Sequence, residues 1–153
     1  MTLLIRQAGP DDEDVVADFN CRLAWESESK RLDAPTVQLG VREILNNSRH
    51  GRYFVACLDG RIVGQLMHTF EWSDWRNGDI WWLQSVYVHP DFRRLGVFRT
   101  LLNHLQTEAT ASPDVVGLRL YVEEHNTAAQ ETYERLGLKT AGYVVMEQLK
   151  TDV

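Results

Sequence analysis

The sequence predicts a mixed α/β domain, on three observations. Apolar runs of strand length alternate with segments of helical period. Two turn signals, Asp59-Gly60 and Asn77-Gly78, sit where successive strand-like runs need a hairpin. A length of 153 residues with 44% hydrophobic content suits one core, so a single domain over residues 1–153 is expected.

The elements follow in order. Residues 3–8 read as a first strand, and Gly9-Pro10-Asp11-Asp12 supplies turn and helix-start chemistry before Val15, Val16, Phe19 and Leu23 repeat on one helical face. A second helix begins after Pro35, with Val37, Val41, Ile44 and Leu45 as its apolar side and Asn46-Asn47 and Gly51 as its stop. Residues 53–58 and 62–72 form a hairpin, and the loop from Ser73 to Asp79 returns the chain into a long central strand over 80–88. Val97, Leu101, Leu105 and Ala109 stripe the next helix, and Ser112-Pro113-Asp114 turns the chain into a strand over 116–122. A further helix lies between Asn126 and Gly137, and residues 143–149 read as a last strand.

Composition narrows the function classes. The formal net charge of −6 argues against a nucleic-acid surface and weakly favours a cationic small-molecule partner. No apolar run has the length of a membrane span, and the first residues lack a basic region followed by an apolar segment, so a cytoplasmic protein without a membrane partner is expected. Cys21 and Cys57 fit buried free thiols better than a disulfide framework, and the five histidines show no paired spacing for zinc, so no metal is expected.

The stretch from Ser85 to Arg99 carries the chemistry. An apolar strand passes through His89-Pro90-Asp91-Phe92 into Arg93-Arg94-Leu95-Gly96-Val97-Phe98-Arg99, a basic, glycine-containing helix start. The first N–H groups of a helix lack intrahelical partners, and the macrodipole favours negative charge beside them. Gly96 lets a phosphate approach the backbone, and the arginines add charge-assisted donors. A pyrophosphate-bearing cofactor is the expected ligand.

The hexapeptide Arg93-Arg94-Leu95-Gly96-Val97-Phe98 resembles the cofactor signature of the GCN5-related N-acetyltransferase (GNAT) superfamily, with Arg93 and Gly96 in place and Phe98 where the family has a small residue. The later order of strand, Asn126, Ala129, Tyr133 and Gly137 is similar to the same family. The resemblance covers nearly the whole chain. It implies a mostly antiparallel sheet of six to seven strands flanked by helices, with splayed central strands that admit an acyl-coenzyme A. The implied cofactor-binding residues are Val86, Tyr87, Val88, Arg93, Arg94, Leu95, Gly96, Val97, Phe98, Arg99, Asn126 and Tyr133.

The implied activity is direct transfer of an acetyl group from acetyl-coenzyme A to a primary amine of a small molecule or peptide, without metal. A lysine-like amine is neutral at pH 7 only about once in 2500, a penalty of roughly 4.6 kcal/mol, so a group that removes its proton is needed. The histone-acetylating branch uses a Glu on the central strand, and Trp82 stands at that position here. Glu71, which reads equally as a surface carboxylate, is the best replacement, ahead of Asp74, Glu26 and Glu28, which read first as solvated surface carboxylates. N–H groups of Val86, Tyr87 or Val88 are the expected donors to the thioester oxygen. Tyr133 is the group expected at the leaving thiolate, more as hydrogen-bond donor than as acid, because a phenol near pKa ~10 protonates a thiolate near ~8.5 uphill.

Glu26, Trp72, Asp74 and Trp75 are the candidate substrate-binding residues. Aromatic groups around a strand–loop–strand tip, Trp81 and Trp82 included, suit an amine pocket, but equally suit a core or a dimer contact. The acceptor and the oligomeric state, homodimer included, stay open. The alternative class is a non-catalytic acyl-coenzyme A sensor or interaction module on the same fold.

Overall fold

Both hairpin signals are realised as turns. Asp59 (φ 51°) and Asn77 (φ 50°) take the left-handed conformation that Asp and Asn tolerate better than other side chains. In the computed structural model, which describes residues 2–151, the chain divides into two compact units, Met1–Leu120 and Tyr121–Val153.

The first unit holds β1 (Leu3–Gln7), α1 (Glu13–Glu28), α2 (Ala34–Asn46), β2 (Arg52–Leu58), β3 (Arg61–Ser73), β4 (Gly78–Val88), α3 (Val97–Ala111) and β5 (Val115–Leu120). The strands form one sheet in the order β1-β2-β3-β4-β5. Successive pairs are antiparallel except β4 and β5, which are parallel. A parallel pair needs a crossover, and α3 supplies it. Among the described residues no helix is long and apolar enough to cross a membrane.

The sheet is covered on both faces. On one, Val16 and Ala17 of α1 and Val41 of α2 pack with Tyr53, Val55, Cys57 and Met67. Two ion pairs anchor this side: Arg6 binds Asp12 at 2.7 Å, and Arg42 of α2 binds Glu13 of α1 at 2.8 Å. The Arg42 and Gln38 hydrogen bonds bring the Glu13 carboxyl down to about 2.

On the opposite face α3 buries Val97, Leu101, Leu102 and Leu105. Gly64 of β3 makes the close approach possible: a Cβ there would stand 2.8 Å from Cγ1 of Val97 and 3.3 Å from the Tyr87 carbonyl oxygen. Val97 is the first residue of α3, so Gly64 sets where that helix starts above the sheet. Gly64→Val should therefore destabilise the fold by about 1–3 kcal/mol through overpacking, read as a lowered urea midpoint.

The second unit contains α4 (Thr127–Arg135). Asn126 caps it, its side-chain oxygen accepting the Ala129 N–H at 3.1 Å, and Gly137 (φ 100°) ends it.

The sheet thus has five strands among the described residues, where six to seven were expected. The expected strand over 143–149 is not formed, and Tyr143, Val144, Val145, Met146 and Leu149 stay exposed. The alternation that suggests a strand is present, but a strand exists only through a ladder partner, which local pattern does not supply. The strand expected to reach residue 122 likewise ends at Leu120.

Candidate active site

Two irregularities in β4 set the site. It pairs with β5 only as far as Leu83, opposite Leu120, yet continues to Val88. Among the described residues no strand lies on that side of residues 84–88, so β4 runs on past the end of β5 toward the basic turn. On its other side Gln65 pairs with Tyr87 and Met67 with Gln84, so Leu66 faces both Ser85 and Val86. This is a β-bulge, and Ser85 takes φ 51° within it. A bulge interrupts the ladder and re-aims backbone groups beside the opening.

After β4 the chain makes a single turn at Pro90–Phe92 and reaches the basic segment, where Arg94 (φ 65°) and Gly96 (φ 80°) are both left-handed. A Cβ on Gly96 would meet nothing within 4 Å, so the space above the helix start is open. Arg94, Leu95 and Arg99 are exposed, Phe98 is half-buried, and Val97 is buried as the anchor of α3. A glycine turn, an open approach, a helix N-terminus and exposed arginines fit a pyrophosphate on chemical grounds.

Arg93 is committed elsewhere. Its guanidinium donates to Glu26 at 2.6 Å and to the Val88 carbonyl at 2.9 Å, and lies 5.4 Å from the centre of the Tyr87 ring. The Tyr87 hydroxyl also donates to Glu26. That hydroxyl and Arg93 hold the Glu26 carboxyl below its ordinary range, whereas burial and the Glu26 anion push the Tyr87 phenol up. Three candidates from distant parts of the sequence thus form one cluster tying the end of α1 to β4 and to the basic turn. An already depressed carboxylate is a weak proton acceptor, but it stays anionic across the physiological range.

Sequence reasoning missed a second cluster beneath the bulge. Gln65 is fully buried, and its side-chain amide donates to the Ser85 carbonyl at 3.1 Å and to Oδ1 of Asn20 at 2.9 Å. Asn20 in turn donates to the Tyr53 hydroxyl at 2.9 Å. Burial raises the Tyr53 phenol, with the hydrogen bonds from Asn20 and Ser85 opposing. One signal was available: Gln65 is the one polar residue in the apolar run Ile62-Val63-Gly64-Gln65-Leu66-Met67, where a polar residue requires partners.

The other candidates lie apart from the bulge or in the second unit. Glu71 of β3 pairs with Ile80 and accepts an ion pair from Arg119 of β5 at 2.8 Å. Ile80 precedes Ser85 by five residues, roughly 17 Å along an extended strand. Trp72, Asp74 and Trp75 are exposed at the β3–β4 tip, where Asp74 accepts the Trp75 N–H. In the second unit Tyr133 is half-buried on α4, and burial raises its phenol. Glu123, Glu124 and His125 lie close together there, but all three are exposed, as surface charges ordinarily are.

Comparison with known proteins gives this geometry a family. The model of the acetyltransferase (GNAT) family matches residues 17–138. A solved structure described as "a possible acetyltransferase from Clostridium difficile 630" is 41% identical, with a TM-score of 0.92, and the match covers 99% of this chain and 100% of that one. The thialysine N-epsilon-acetyltransferase of Caenorhabditis elegans is 26% identical over 125 residues, 82% of this chain and 76% of that protein. An acetyltransferase of Pectobacterium atrosepticum is 31% identical over 94 residues, 61% of this chain and 62% of that protein. Since the matched region runs from α1 through the bulged strand and basic turn to the end of α4, this chain belongs to the acetyltransferase (GNAT) family.

Proposed function

We propose that the protein transfers an acetyl group from acetyl-coenzyme A directly to a primary amine of a small molecule or peptide. The observation that carries this reading is that β4 runs on beyond its pairing with β5 at Leu83, is bulged against β3 at Ser85, and leads through the Pro90–Phe92 turn to Gly96. The opening suits an extended pantetheine arm and the turn suits its pyrophosphate. Bound there, acetyl-coenzyme A supplies an activated thioester carbonyl.

The chain's own residues then divide the work. Backbone N–H groups of Leu95, Gly96 and Val97, with Arg94 and Arg99, hold the pyrophosphate, while Arg93 braces the turn against Glu26. By the family resemblance, Asn126 and Tyr133 are also assigned to the cofactor. N–H groups of Val86, Tyr87 or Val88 meet the negative charge that develops on the carbonyl oxygen as the amine attacks, and being prearranged they need no reorganisation. Glu71, engaged by Arg119 at the far end of its strand, serves to tie β3 to β5. The amine proton leaves through water, and the formal net charge of −6 favours a cationic acceptor. The relative named for acetylating the ε-amine of thialysine supports a primary amine as the acceptor class.

Tyr133 donates a hydrogen bond to the departing thiolate. Its raised pKa makes full proton transfer less favourable still, so it acts by stabilising the anion. Tyr133→Phe should lower kcat about 10–100-fold while leaving the acetyl-coenzyme A KM within about threefold. Equal turnover at saturating substrates would remove Tyr133 from the mechanism.

The test of the whole reading has two stages. Acetyl-coenzyme A at 100-fold its Kd stabilises the fold by about 2.7 kcal/mol, which raises the thermal midpoint by about 5–11 °C. Thiol release against a panel of primary amines, polyamines and lysine-like amino acids then identifies the acceptor. A midpoint shift without thiol release on any amine would favour a binding module, and no shift at millimolar ligand would overturn the reading.

A further inference from the structure

Resting on that reading, we propose that Gln65 is a positioning residue for acyl transfer, holding the β4 bulge through the Ser85 carbonyl so that the following N–H groups face the thioester. The argument begins with a cost. A left-handed serine is strained by about 1–3 kcal/mol and persists only where its surroundings hold it. Ser85 is such a residue, in the strand that flanks the opening.

The Gln65 amide holds its carbonyl, and Tyr53 hydrogen-bonds with the Ser85 side chain. The orientation of that amide is set by chemistry, since the Ser85 carbonyl can only accept, and so the nitrogen must face it. The second N–H reaches Asn20 of α1, and Asn20 reaches Tyr53 of β2. The bulge is thereby tied to a helix and to a strand two places away in the sheet. Gln65 meets these demands at a further cost: its Oε1 is buried with no hydrogen-bond partner among the described residues.

A buried acceptor left unpaired costs about 1–3 kcal/mol, a penalty that a leucine or methionine of similar volume would avoid. An apolar side chain would in turn leave the Ser85 carbonyl and Asn20 Oδ1 without the donor they now have. The two N–H groups of Gln65 are what an apolar residue lacks, and one of them grips the bulged strand beside the cofactor opening. Rigid support of this kind decides whether donors sit within the few tenths of an ångström that oxyanion stabilisation requires.

Gln65→Met tests this, because it keeps the volume and removes both donors. The variant should fold with a thermal midpoint lowered by about 2–12 °C, because two acceptors lose their donor while one unpaired oxygen is removed, and should bind acetyl-coenzyme A within about threefold of wild type. Its kcat should fall about 10–100-fold, and the Val86 and Tyr87 amides should exchange with solvent at least about tenfold faster. Asn20→Ala, on the half-buried outer link, should shift both readouts in the same direction by less, and carries the test if Gln65→Met does not fold. Unchanged exchange in the variant that folds would overturn the proposal, as would kcat within about twofold of wild type. Faster exchange in a protein whose wild type transfers no acetyl group would support the hold on the bulge and overturn the acetyltransferase reading instead.

Discussion

Gly96→Val is expected to weaken acetyl-coenzyme A binding by at least about 100-fold. Gly96 sits at φ 80°, a conformation that costs an ordinary L-residue about 1–2 kcal/mol and a β-branched one more. The new side chain would also project into the open space above the start of α3, which nothing within 4 Å otherwise fills. Charge-assisted hydrogen bonds are worth about 1.5–3 kcal/mol each, so losing two at the pyrophosphate removes about 3–6 kcal/mol, or two to four powers of ten in Kd. Gly96→Ala should fall between, with less bulk at the same φ. Calorimetric titration measures both, and a Kd within about threefold of wild type for the valine variant would show that the phosphate does not seat there.

The second large effect is loss of stability in mild acid, centred on His68. Its ring is fully buried, stacks on Trp81 at 4.2 Å and accepts a hydrogen bond from Arg52 at 3.1 Å. Arg52 itself lies against the rings of Phe54 and Trp81 and pairs with Glu108 of α3, which also faces His104. Burial first, and the Arg52 cation second, bring the imidazole down to about 4. An unfolded histidine titrates near 6.5, so above that pH both states are neutral and His68 adds no pH dependence. As pH falls below 6.5 the unfolded chain takes up a proton that the folded one refuses, and stability drops until the folded pKa is passed.

At pH 5 the loss comes to about 2 kcal/mol, approaching about 3 kcal/mol near pH 4. The depressed carboxyls of Asp12, Glu13 and Glu26 act in the same direction but at lower pH, since their stabilisation fades only below the unfolded carboxylate range. Comparing urea unfolding at pH 7.5 and 5.0 therefore isolates the histidine. His68→Gln should be less stable at pH 7.5 but should lose about 2 kcal/mol less than wild type between the two pH values. Equal losses in both proteins would assign the acid sensitivity to other groups.

The parts of the site that read correctly from sequence are those encoded within a few residues. The two hairpin turns, the apolar stripe of α3, the Asn126 cap and the glycine turn before α3 are local, because φ preference, helical period and end-capping act over one or two turns of chain. These determine a mixed α/β fold and a basic, glycine-led helix start. The meeting of Glu26, Tyr87 and Arg93 needs α1 to end over β4, and the Gln65 link to Ser85 needs a bulge that no residue pattern marks. Likewise the 143–149 segment has strand character without a strand, and Glu71 looks free in the sequence while Arg119, 48 residues away, binds it. Charge pairing, ladder register and bulges depend on which distant segments become neighbours. Sequence alone therefore determined the glycine turn and the basic helix start, and only the tertiary structure decided how β4 is bulged, braced and carried beyond β5.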